Sequence, residues 1–359
     1  MPLRTRSLGL LAIPALLLSA AAPALADAPA AADTPAPAAH GRTTFRPDAA
    51  AAGWLARQLV DGDHLVTVYN GTSYPDQGLT ADAVLAFAAA GGSDQAAARA
   101  TAWLAKPENL TGYLGDGTTS AYAGATAKLL LTAEVRGADP TAFGGVDLPA
   151  RLRSLLTPSG RFSDRSQWGD YSNAFGQSLA LLALQRTPDG APAQAVDFLV
   201  AARCADGGFP VALGQATCTG DPDATALAVQ ALAATGRTAD ARAGLDWLTA
   251  HQGADGGFAT GGATTANANS TGLATEALLA GDRFGAGLKG WSRLLKFQQG
   301  CSADPAVRGA VAYDASGFNQ ATAVRATTQA VLGLSGRGLA DLSADGARPT
   351  APVLACPAG

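Results

Sequence analysis

Trp247-Leu-Thr-Ala-His-Gln252-Gly-Ala-Asp255-Gly-Gly-Phe258 and Phe198-Leu-Val-Ala-Ala-Arg203-Cys-Ala-Asp206-Gly-Gly-Phe209 are two copies of one pattern, 49 residues apart. Each reads as a short helix with an aromatic anchor, ended by glycines that permit the positive φ of a tight turn. A weaker copy of the front half runs from Trp291 to Gln299, and others begin at Trp54 and Trp103. Self-similarity at a fixed period of this size marks a repeat architecture.

An alanine-rich second helix follows each turn. The clearest copies are Thr80-Ala-Asp-Ala-Val-Leu-Ala-Phe87, Thr225-Ala-Leu-Ala-Val-Gln-Ala-Leu232 and Thr271-Gly-Leu-Ala-Thr-Glu-Ala-Leu278. Weaker ones start near Gly124, Gln177 and Val324. These helices are apolar on nearly every face, as burial on all sides requires, whereas the first helix of each pair is amphipathic and belongs outside. Six such hairpins close into a ring without leaving the exposed ends that an open solenoid must cap. The expected fold is therefore all-α, an α6/α6 toroid of two concentric helical rings over residues 45–340, with an open helical array as the alternative. Residues 341–359 read as a tail.

Composition agrees with closely packed helices. Of 359 residues 48% are hydrophobic, 15% charged and 6% aromatic, with 43 glycines, and the apolar share is largely alanine. Such a chain is too apolar to be mainly disordered. Its net charge of −4 gives no basic footprint for nucleic acid. Arg4 and Arg6, the apolar run Leu8 to Leu18 and Ala24-Leu25-Ala26 read as a secretory signal peptide over residues 1–26, which implies a secreted chain with no membrane span once processed. Residues 27–44, rich in alanine and proline, read as a linker. In an oxidising compartment the four cysteines suggest two disulfides. Three connectivities are open; Cys204 with Cys218, bracketing one loop, and Cys301 with Cys356, tying down the tail, are favoured. There is no CxxC spacing and only three histidines, His40, His64 and His251, so no metal site is expected and no cofactor is implied.

The glutamine, Asp-Gly-Gly and aromatic turn resembles the QW-type repeat of the terpenoid cyclase and protein prenyltransferase superfamily, over roughly residues 50 to 340. The resemblance implies the toroid fold, which also occurs in complement thioester domains and in cobalamin-binding transport proteins. It is specific for fold and weak for activity. Asp221-Pro-Asp223-Ala224-Thr225-Ala226 resembles the DxDDTA motif of class II terpenoid cyclases, whose middle aspartate protonates an alkene or epoxide. Asp223 stands in the place of that acid, but the neighbouring aspartate is here Ala224. The thioester signature of complement-like domains and the Gly-x-Ser-x-Gly elbow of serine hydrolases are both absent.

In a toroid the inner-helix N-termini open on one mouth. Four residues before each second-helix anchor stand Asp76, Ser120, Asn173, Asp221, Asn267 and Gln320. Two before come Gly78, Tyr122, Phe175, Asp223, Asn269 and Thr322. Each polar residue taken alone reads as an N-cap; as a set they make a polar mouth able to grip a ligand. Tyr69, Tyr74, Tyr113, Trp168, Tyr171 and Tyr313 lie near loops. Trp168-Gly-Asp-Tyr171 has no counterpart in the other repeats, and is a candidate for stacking on a flat ligand. Candidate ligand-binding residues are thus Asp76, Trp168, Tyr171, Asn173, Asp221, Asp223, Asn267, Asn269 and Gln320.

Three functions follow. The first is a secreted, non-catalytic protein that binds a small molecule at the toroid mouth, a corrinoid or another hydrophobic or flat molecule, with a separate partner domain or membrane transporter. The second is a terpenoid cyclase-like enzyme with Asp223 as proton donor and Asp221 beside it. The third is an extracellular glycan-active helical barrel, which needs a second carboxylate. Few aromatics remain to cage a carbocation, so composition favours the first.

Overall fold

A computed structural model describes residues 42–260 and 262–357. The signal peptide expected at residues 1–26 lies outside the described residues, as do residues 27–41 of the expected linker. Thr43–Thr44 form strand β1, which pairs in parallel with β4, Val353–Leu354, in the register Thr43–Val353 and Thr44–Leu354.

Among the described residues the inner ring consists of α2 (Gln77–Ala90), α5 (Ala123–Val135), α7 (Ala174–Gln185), α9 (Pro222–Ala234), α11 (Ala268–Ala280) and α13 (Gln320–Ser335). Each packs on the next, and α13 returns to α2, so the ring is closed. The outer helices are α1 (Pro47–Ala56), α3 (Asp94–Leu104), α6 (Leu148–Arg153), α8 (Ala193–Ala201), α10 (Thr238–His251) and α12 (Phe284–Phe297). An extra helix, α4 (Pro107–Leu114), lies between α3 and α5. The outer helices flank the ring: α10 touches α9 and α11, α12 touches α11 and α13, and α1 touches α13 and α2. Strands β2 (Val66–Tyr69) and β3 (Thr72–Pro75) make an antiparallel hairpin leading into α2. Six hairpins in two rings make the α6/α6 toroid.

Small residues allow the helices to approach closely. At the α11–α13 crossing a Cβ on Gly272 would stand 2.4 Å from the Gln329 carbonyl oxygen. The repeated turn fixes the hairpins. Asp206 and Asp255 accept the amides of Gly208 and Gly257 at 3.0 Å. The glycine between, Gly256, has φ +86° and stands against the Lys289 carbonyl, where a Cβ would lie 2.4 Å from oxygen. Phe162, Phe209 and Phe258 then enter the core fully buried, each contributing about 1.5–3 kcal/mol by leaving water.

Gln252 donates to the Gly256 and Ala286 carbonyls, both at 2.9 Å, tying its own turn to the next outer helix. Gln298 does the same with Gly309 and Pro47. The counterpart of Gln252 is therefore Gln298, and the weak copy from Trp291 to Gln299 is out of register. Where Trp247 stacks on His251, centroids 3.9 Å apart, Arg293 lies over Phe297 at 4.5 Å.

The disulfides are Cys204–Cys218 and Cys301–Cys356. The second holds the tail beside α12, and no described helix is long and apolar enough to cross a membrane.

Candidate functional site

Five inner-helix side chains accept the backbone amide of the residue that enters the core before them. Thr80 accepts from Leu65, Gln177 from Phe162, Thr225 from Phe209, Thr271 from Phe258 and Thr327 from Val311, at 2.9–3.0 Å. Thr126, the fourth residue after the N-cap Tyr122, matches Thr80 and Thr225 in its helix. Helix α13 begins one turn early, at the cap Asn319. The sixth anchor is therefore Thr327, not Val324, and the second is Thr126, not Gly124.

With these anchors the inner faces fall into layers. Two residues before them stand Gly78, Gly124, Phe175, Asp223, Asn269 and Arg325; two after stand Asp82, Lys128, Leu179, Leu227, Leu273 and Gln329. Every residue of both layers except the two glycines lines one central cavity of about 290 Å³. Leu85 and Leu332 from the next layer, with Thr328, extend it, and Leu339 from a short 3-10 turn, Leu339–Asp341, floors it. In all six helices the two layers follow in the same order along the chain, so the inner helices run parallel around one mouth.

The walls divide chemically. Helices α7, α9 and α11 offer leucines, while on the other side Lys128 Nζ pairs with Asp82 at 2.7 Å. Burial lowers the Lys128 pKa, but Asp82 outweighs it and the ammonium is held above its ordinary value. Arg325 pairs with Asp76 at 3.0 Å. Tyr113 packs over Gly78, its hydroxyl 3.2 Å from where a Cβ would be. On α9, burial and then the charge of Asp221 push Asp223 up to about 7, with the Ser270 hydroxyl opposing. Asp223 Oδ1, Asn269 Oδ1 and Gln329 Oε1 are buried without a hydrogen-bond partner. Three unpaired polar atoms on residues around one cavity are what a bound molecule would satisfy. Among the described residues no cluster of ligating side chains suits a metal ion.

No protein-family model and no curated sequence matches this chain. Solved structures do. The type II terpene cyclase MstE from Scytonema is 15% identical with a TM-score of 0.59, over 80% of this chain and 96% of its own. A glycosidase is 12% identical with a TM-score of 0.58, over 83% and 97%. The ent-copalyl diphosphate synthase from Streptomyces platensis is 20% identical with a TM-score of 0.49; this chain spans 53% of it, over 74% of its own length. The fold is an α/α toroid, like that of MstE.

Within this toroid, two of the expected ligand-binding residues reach the cavity, Asp223 and Asn269. Asp76, Asn173, Asp221 and Asn267 cap α2, α7, α9 and α11 through their side chains. Asp221 is fully engaged: one oxygen accepts the Asp223 and Ala224 amides, and the other the Thr260 hydroxyl. Asp76 also touches the cavity indirectly, through Arg325. Gln320 is exposed on the extra turn of α13 and bonds Gln58 at 2.9 Å. Trp168 and Tyr171 are 58% and 59% exposed on the loop before α7, outside the cavity. Sequence reasoning missed Asp82, Lys128, Arg325 and Gln329. Counting two residues either side of Thr80, Thr126 and Thr327 would have found them.

It also missed Glu276. Three residues beyond the middle layer stand Leu85, Leu131, Leu182, Gln230, Glu276 and Leu332, polar on two adjacent helices only. Glu276 is 0% exposed, both its oxygens lack a partner in hydrogen bonding of full geometry, and burial pushes its carboxyl up to about 8.

Proposed function

We propose that the toroid is a secreted, non-catalytic protein that takes up a small amphipathic molecule in its central cavity. The observation that carries this reading is the set of oxygens without hydrogen-bond partners on Asp223, Asn269 and Gln329, three residues that line the cavity beside Leu179, Leu227 and Leu273. The apolar body of the ligand lies against Leu179, Leu227 and Leu273, and its polar end meets the oxygens. A cavity of about 290 Å³ is at the small end of ligand pockets. A corrinoid is far larger, so it would rest on the mouth, where Trp168 and Tyr171 are exposed. In this reading the ligand is passed to a separate partner domain or a membrane transporter.

Cyclisation is less well supported. Protonating a carbon–carbon double bond needs an unusually strong acid, whereas burial and Asp221 make Asp223 a weak one. Among the described residues Phe175 is the only aromatic in the cavity lining. A glycan-active reading gains one observation: Asp223, pushed up to about 7, and an ion-paired Asp82 line the same cavity, and a carboxyl with a raised pKa suits a general acid.

Thermal unfolding with geraniol, a ten-carbon isoprenoid alcohol, tests the cavity. Geraniol should raise Tm in the wild type and not in Asn269→Leu. Gel filtration with hydroxocobalamin tests the mouth, and incubation with geranylgeranyl diphosphate or p-nitrophenyl glycosides tests turnover. No geraniol shift would overturn cavity binding, and turnover abolished by Asp223→Asn would overturn the non-catalytic reading.

A further inference from the structure

Helix α2 ends at Ala90, about 20 Å along its axis from the cap Asp76 at the mouth. At that far end β1, the start of α1 and the residues before β4 meet it around a cavity of about 420 Å³. Arg42, Arg46 and Arg348 line this cavity, together with Thr43, Thr44 and Thr350. Gly91 and Gly92 form part of its wall, and a Cβ on Gly92 would meet nothing within 4 Å. A fourth arginine, Arg337, comes from the segment after α13. Its Nη1 stands 3.8 Å from where a Cβ on Gly91 would lie.

Helix capping accounts for one of these four guanidiniums. The C-terminus of a helix attracts cations, but the carbonyls at this end are taken almost entirely by other donors. Those of Phe87 and Ala88 accept the Gly92 and Gly91 amides, and that of Gly91 accepts the Arg348 backbone amide at 3.1 Å. Only the Ala90 carbonyl takes a guanidinium, Arg46 Nη2 at 3.1 Å. Arg46 is also the one with a counter-charge, Asp48. Asp94, whose amide donates to the Arg348 carbonyl, turns its carboxylate to Arg136. Among the described residues no carboxylate forms an ion pair with Arg42, Arg337 or Arg348. Three uncompensated guanidiniums from three separate segments thus meet at one cavity, in a chain whose net charge is −4.

We propose that this cavity binds a phosphorylated ligand by its phosphate or diphosphate group. A single carboxylate would leave most of the positive charge unmatched, whereas a phosphate monoester brings about two negative charges and a diphosphate more. The planar guanidinium grips two phosphate oxygens at once, and threonine hydroxyls along the wall donate to others. The bound anion bridges the residues before β1, the link after α13 and the tail, segments otherwise joined by the two-residue β1–β4 pairing and the Cys301–Cys356 disulfide. The site is separate from the central cavity, with which it shares no lining residue.

Isothermal titration of the whole protein with inorganic pyrophosphate, at ionic strength held constant with sodium chloride, tests this. The wild type should take up one pyrophosphate per chain with a dissociation constant in the millimolar range or below. Arg337 and Arg348 are exposed, so their glutamine variants keep the fold. Arg337→Gln and Arg348→Gln should each weaken binding about tenfold or more. Arg242→Gln, at an exposed site on α10, should change it less than about twofold. In NMR spectra the Gly91 and Gly92 amides should shift as pyrophosphate is added, while the Asn269 side-chain amide in the central cavity stays in place. No saturable uptake, equal weakening by all three variants, or shifts at Asn269 without shifts at Gly91 and Gly92 would overturn the proposal.

Discussion

Asp221 Oδ1 accepts the Asp223 amide at 2.9 Å, so the carboxylate that caps α9 also lies against the carboxyl that enters the cavity. Cap and neighbouring charge are separable. Asn caps as well as Asp, and it carries no charge. In Asp221→Asn the Asp223 carboxyl should therefore titrate at lower pH, with stability changed by less than about 1 kcal/mol. Carboxyl-carbon NMR titration checks this; an unmoved Asp223 would show that burial alone sets its proton affinity.

Stability should fall as pH rises from about 5 to about 8.5. Asp223 at about 7, Glu134 at about 7 and Glu276 at about 8 all lie above their ordinary values. The native state thus holds protons that the unfolded chain has released, and stability declines where that is so. The decline begins above the ordinary carboxylate range and levels off past pH 8. Thermal unfolding should show Tm lower by roughly 3 °C or more at pH 8.5 than at pH 5.5. Glu276→Leu should raise Tm at pH 8.5 and flatten the curve.

The two disulfides should contribute unequally. Cys301–Cys356 closes 55 residues of chain, Cys204–Cys218 only 14. Loop-closure entropy predicts about 4 kcal/mol for the first and about 3 kcal/mol for the second. Urea unfolding of the paired alanine variants measures both, and the loss of the longer bridge should also raise exchange along β1 and β4.

Gly272→Ala should destabilise by about 1–3 kcal/mol, because its Cβ would push α13 away from α11. Gly285→Ala, at an exposed site on α12 with nothing near the new Cβ, should be neutral or slightly stabilising. Denaturant midpoints of the two variants test whether the crossing, rather than glycine as such, carries the cost.

The ring was legible in the sequence because Gly-Gly-Phe turns and alanine-rich helices each depend on nearby residues alone. The caps Asp76, Asn173, Asp221 and Asn267 were legible for the same reason. Lys128, Arg325 and Gln329 were not. In the second repeat the N-cap is Tyr122, whose side chain caps nothing, and in the sixth an added turn moves the apparent start of α13 to Asn319. Both hide the register, by two and by three residues. Glu276 and Gln230 were visible as polar letters in a leucine position, but only the closing segment from the far end of the chain shows what lies against them.

Strand β1 pairs with β4, and α13 packs on both α1 and α2. A chain emerging from one end therefore holds its first hairpin unfinished until its last has arrived, roughly 240 to 310 residues later. Such distant pairing makes folding slow and leaves an apolar edge waiting. The earliest helices need either a holding partner or the company of α5 and α7, and a stall before α13 would yield an open, aggregation-prone arc rather than a smaller ring.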